Sequence, residues 1–99
     1  MEIIRKREGD SLNMALTGRL DTTSSPQLEA ELRQVMDEIR ELTLDLKDLT
    51  YVSSAGLRVF LSAQKVMNKR GEMTIRNAQP QIMEIFDVTG FTDILNIEA

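Results

Sequence analysis

"LTLDLKDLTYVSSAGLRVF", residues 42–60, contains the handover that decides the fold. In an extended chain Leu42, Leu44 and Leu46 point one way and Thr43, Asp45 and Lys47 the other, the period-2 pattern of a half-buried strand. Tyr51 and Val52 keep the β character. Two serines, Ala55 and Gly56 then intervene, and from Leu57 the apolar spacing turns helical. Leu57, Leu61, Gln64 and Met67 fall along one side, widened by Val59, Phe60 and Ala63. The spacing predicts a helix over about 55–68. Lys69-Arg70-Gly71 closes it, with cations at the negative end of the dipole and glycine at the stop.

Upstream, "MEIIRKREGDSLNMALTG" (1–18) reads as two strands around a Gly9-Asp10-Ser11 turn. In the second, Leu12, Met14 and Leu16 alternate with Asn13, Ala15 and Thr17. The basic run Arg5 to Arg7 is diluted by Glu2, Glu8 and Asp10 and reads as a solvated strand. "SSPQLEAELRQVMDEIRE" (24–41) reads as a helix, with Ser25 as N-cap and Pro26 at the first helical position. Leu28, Leu32, Val35, Met36 and Ile39 form its apolar stripe. Glu29, Arg33, Asp37 and Arg40 remain for the wet face.

Downstream, "EMTIRN" (72–77) is a short strand around Met73 and Ile75, and "QPQIMEIFDVTG" (79–90) a short third helix between Pro80 and Gly90. "DILNI" (93–97) is expected to finish as a strand or strand-like tail. The order β-β-α-β-α-β-α-(β), with no repeat or low-complexity segment, predicts an α/β sheet with some parallel neighbours and helices packed on it. The 99 residues are enough for one modest core, so residues 1–99 are read as a single domain.

Composition narrows the chemistry. There is no His and no Cys, which removes disulfides, thiolate nucleophiles, the usual zinc sites and His-dependent triads. Three Phe and one Tyr leave Leu, Ile, Val and Met to fill the core. With 16 acidic and 12 basic residues the net charge is −4, which disfavours nucleic acid and anionic membrane surfaces as partners. No apolar run approaches the ~20 residues that span a bilayer. No signal peptide opens the chain, so the expectation is a soluble cytoplasmic protein. Neither a G-x-x-x-x-G-K-[ST] loop nor a G-x-G-x-x-G turn is present, and no metal or cofactor is expected.

Two loops carry the candidate sites. In "TGRLDTTSSP" (17–26) Gly18 can take a positive φ at the strand exit, and Asp21 can bond its own loop amides. In "YVSSAGL" (51–57) a serine at a helix start can cap the helix, or it can be phosphorylated and held by the same free amides. Ala55 and Gly56 are expected to keep the approach uncrowded. Physics leaves cap and modification open for Ser53 and Ser54.

The ordered set "LTGRLDTTSSPQLE", "LTLDLKDLTYVSSAGLRVFLSAQKVMNKRGEMTI" and "FDVTGFTDIL" resembles the STAS domain of bacterial anti-sigma factor antagonists, over nearly the whole chain. The resemblance implies a mixed four- to five-stranded β-sheet with three to four helices mainly on one face. It implies binding without catalysis. The unphosphorylated form would bind an anti-sigma factor that is a serine kinase and free the sigma factor; phosphorylation would end the complex, and a phosphatase would reset it.

Matched residue by residue, the acceptor falls on Ser54 in "SSAGL", with Ser53 as the alternative, and the family's loop aspartate falls on Asp21. The implied partner surface is Asp21, Thr22, Ser53, Ser54, Ala55, Gly56 and Arg58. Many members carry an acidic residue before the acceptor, and here that place is Ser53. Two other readings stand beside this one: a STAS interaction module for a non-sigma partner, and a small nucleotide- or anion-binding domain using the helix start after Ser54.

Overall fold

The computed structural model describes residues 1–98. Four strands form one sheet in the order β1-β2-β3-β4: β1 is Glu2–Glu8, β2 Ser11–Leu20, β3 Glu41–Val52 and β4 Glu72–Arg76. β1 pairs antiparallel with β2, while β2–β3 and β3–β4 are parallel. The parallel pairs need crossovers, supplied by α1 (Ser25–Val35) and α2 (Ser54–Arg70). A third helix, α3 (Pro80–Thr89), ends at Gly90, whose φ of +80° is the left-handed stop glycine allows.

The inward set of the sheet is Leu12, Met14, Leu16 and Leu20 on β2, Leu42, Leu44, Leu46, Leu49 and Val52 on β3, and Met73 and Ile75 on β4. Leu28 and Leu32 of α1, Phe60 and Met67 of α2, and Ile82 and Phe86 of α3 pack with them in one core. Phe60 and Phe86 meet edge to face at 6.2 Å, joining α2 to α3. The opposite face carries Asn13, Thr43, Asp45 and Thr74, all only half-buried. A sheet with helices on one face matches the expected class.

β3 is longer than its simple alternation allows. Past Leu46 the buried positions are 49 and 52, spaced by three rather than two. The register explains this: Ala15 and Thr17 face Asp45 and Asp48, and Gly18 and Arg19 face Leu49 and Tyr51, so β3 carries an extra residue at two places. Each irregularity resets which residues point inward.

Three local expectations differ from the structure. The first helix does not run on to residue 41: it ends at Val35, passes through a 3-10 turn at Met36–Glu38, and Ile39 is extended and fully buried. Burying Ile39 under the sheet requires leaving the helix. Ser25 is not the cap but the first helical residue, buried, its hydroxyl donating to the Asp21 carbonyl at 2.6 Å. Finally, residues 93–97 are not a full strand. A 3-10 turn at Phe91–Asp93 leads to one parallel bridge, Ile75 with Ile97, flanked by bonds from the Ile75 amide to the Asn96 carbonyl and from the Glu98 amide to the Ile75 carbonyl.

Candidate functional site at the ends of the parallel strands

In open α/β sheets, binding sites gather beyond the carboxyl ends of parallel strands. Here β2 and β3 end together, with Leu20 opposite Val52. The next residues are stitched across the gap, because the Ser53 amide donates to the Leu20 carbonyl at 2.8 Å. Asp21 follows one partner and Ser54 the other, so residues 33 positions apart lie at one rim of the sheet.

The two serines divide their work. Ser53 is extended (φ −91°, ψ 175°) and is the N-cap of α2: its Oγ accepts from the Gly56 amide at 3.3 Å, and its carbonyl accepts from the Leu57 amide at 2.9 Å. Ser54 is the first residue of α2 and is exposed. The amides of Ser54 and Ala55 precede the first intrahelical bond, at the positive end of the helix dipole.

Gly56 is placed differently from the sequence expectation. It does not open an approach for a partner; it is buried, and a Cβ there would stand 2.8 Å from Leu20 Cδ2 and from Val52 Cγ2. Glycine lets the first turn of α2 press onto the ends of β2 and β3. Ala55 is half-buried beside it, and Arg58, one turn further on, is exposed.

Asp21 organises its loop. Its Oδ1 accepts from the amides of Thr23 and Ser24, both at 3.0 Å, and lies 3.1 Å from Ser24 Oγ. Ser24 Oγ in turn accepts from the Asp21 amide at 2.9 Å and donates to the Arg19 carbonyl at 2.7 Å. The Ser24 amide above all, against some desolvation and helped by the Ser24 hydroxyl, the Thr23 amide and the Arg19 charge, holds the Asp21 carboxyl below its ordinary 3.8. Asp21 itself is half-buried; Thr22, at the tip of the loop, is exposed.

Sequence reasoning misses the Arg19–Tyr51 pair. The Arg19 guanidinium lies 4.3 Å over the Tyr51 ring, a cation–π stack on the same rim. The pairing of Arg19 with Tyr51 follows from the two irregularities in β3, which simple alternation does not reveal. Nor does the sequence disclose the shallow groove between α1 and α2; it runs from Thr22 and Ala55 past Arg58 and Val59 to Ser62, with Ala30 on the opposite wall. Among the described residues no group of His, Cys, Asp and Glu is arranged to hold a metal ion. No described helix is long and apolar enough to cross a membrane.

Sheet order and helix placement define a small α/β domain with a mixed four-stranded sheet. The chain belongs to the STAS domain family: a family model described as "Mlab, STAS domain" matches residues 4–96. It is 31% identical over 97 residues to the anti-sigma-B factor antagonist of Bacillus subtilis (strain 168), covering 97% of this chain and 88% of that protein. The anti-sigma factor antagonist SpoIIAA in its unphosphorylated form has the same fold, with a TM-score of 0.85 at 15% identity over 99% of this chain and 89% of that one. The phosphorylated form of SpoIIAA, a Bacillus cell fate determinant, superposes with a TM-score of 0.77 at 15% identity, over 99% and 92% of the two chains.

Proposed function

We propose that this chain is an anti-sigma factor antagonist whose unphosphorylated form binds an anti-sigma factor with serine-kinase activity, releases the sigma factor, and is switched off by phosphorylation of Ser54. The observation that carries the assignment to Ser54 rather than Ser53 is the division at the helix start: Ser53 Oγ is committed to the Gly56 amide, while Ser54 is exposed at the first helical position. The name of the Bacillus subtilis relative supports the role.

In the proposed step Ser54 Oγ attacks the γ-phosphorus of ATP held by the kinase. The bond to ADP breaks, and the hydroxyl proton passes to a base of the kinase. A phosphatase restores the hydroxyl by hydrolysis. The new group brings about −1.5 to −2 charge and three acceptor oxygens. A partner surface shaped for a neutral hydroxyl must then bury or repel a dianion. Weakening the complex ~1,000-fold requires about 4 kcal/mol, within the range for a charge left unpaired in an interface. Asp21, Thr22, Ala55 and Arg58 complete the proposed contact surface with the two serines; Gly56 contributes by seating the helix.

Intact-mass analysis with site mapping, after incubation with ATP and an extract of the host, tests this. One phosphoryl group on Ser54, absent in Ser54→Ala, is the expected result. Phosphate on Ser53 would move the site, and no modification in an extract with an active kinase of this type would defeat the proposal.

A further inference from the structure

Ser54 and Arg58 are four residues apart on α2, and both are exposed. Residues at that spacing lie one above the other on a helix surface, and an anion four residues before a cation is the favourable order. Arg58 takes part in no ion pair among the described residues, where Arg5, Arg7, Arg33 and Arg76 are each paired with a glutamate. The other charged residues lining the groove are Glu29 and Arg33 of α1, and these already hold each other at 2.8 Å.

We propose that Arg58 is the partner, within this chain, of a phosphate on Ser54: phosphorylation draws its guanidinium up one helical turn onto the phosphate. The proposal rests on the reading of Ser54 as the acceptor. It adds a second half to the switch. An unphosphorylated domain offers a neutral hydroxyl and a free cation to its partner. A phosphorylated one offers neither, because the dianion arrives and the guanidinium is taken away in the same event. The groove wall formed by Arg58 and Ala55 therefore changes sign, with no movement of α2 required.

The test does not depend on any kinase. Phosphoserine is incorporated at position 54 during synthesis, in the otherwise native chain and in Arg58→Gln and Arg58→Lys backgrounds, and the second phosphate ionisation is followed by phosphorus NMR. The native chain is expected to ionise ~0.3 pKa units or more below Arg58→Gln, the size of a helix pair at this spacing. Arg58→Lys should recover part of the shift. In thermal melts the change in Tm caused by the phosphate should be more favourable in the native background than in Arg58→Gln. Equal ionisation in the native and Arg58→Gln proteins overturns the pairing. A host extract that never phosphorylates Ser54 would defeat the switch reading instead, leaving this comparison readable.

Discussion

The Ser53 amide donates to the Leu20 carbonyl at 2.8 Å, and this one bond between two strand ends brings the Asp21 loop and the Ser54 helix start to the same rim. The Ser53 hydroxyl caps α2 at the same time. One residue thereby fixes the position of its neighbour from both the sheet side and the helix side.

Ser53→Ala should lose the cap and cost about 0.5–2 kcal/mol of stability. Ser54→Ala should melt within about 0.5 kcal/mol of the native chain, as exposed substitutions do. Urea denaturation of the two variants separates these roles. Equal losses would mean that the cap is shared.

Asp21 has its folded carboxyl pKa lowered by the loop amides, so its contribution to stability is fully present above the unfolded value near 3.8. That contribution is lost as the pH falls through the folded value. Asp21→Asn should therefore be less stable than the native chain at neutral pH, and the gap should close on acidification below about pH 4. Tm measured across a series of buffers from neutral to strongly acidic checks it, and a gap that persists at low pH would point to packing rather than charge.

Gly56→Ala puts a methyl against Leu20 and Val52, which must give way or push the helix start outward. A cost of about 1–3 kcal/mol is expected. Binding to the proposed anti-sigma partner should weaken as well, since Ser54 rides on the displaced turn. A variant that binds normally despite lower stability would detach the seating of the helix from recognition.

Leu44 is fully buried in the middle of β3. Leu44→Asp should cost about 4 kcal/mol or more by burying an unpaired charge, read as loss of cooperative unfolding by circular dichroism. Arg58→Ala should leave the melt nearly unchanged and affect only partner binding. If the two outcomes were exchanged, the buried and exposed faces would be assigned the wrong way round.

The strand order and the α2 stripe are legible because period-2 and helical patterns are strong in "LTLDL" and in Leu57 to Met67. The end of α1 is not. Met36 and Ile39 fit a helical stripe, but tertiary burial of Ile39 draws the chain out of the helix first. The roles of Ser24 and Ser25 are equally hard to read from sequence, because both hydroxyls turn back to the Arg19–Asp21 backbone instead of capping α1. Gly56 reads as open space because a missing side chain looks alike whether the gap faces solvent or a neighbouring leucine.

The two glycines flanking the body of α2 have a joint effect. Gly56 leaves no room against Leu20 and Val52, and Gly71 leaves none against the Arg40 carbonyl, where a Cβ would overlap the backbone oxygen. These contacts lie 15 residues apart, ~22 Å along a helix, so α2 is seated tightly near both of its ends, on the strand ends at one and on the chain entering β3 at the other. Lengthening either glycine by one methyl would have to be absorbed by the neighbours it touches, which ties the placement of the proposed Ser54 switch to two side chains that are not there.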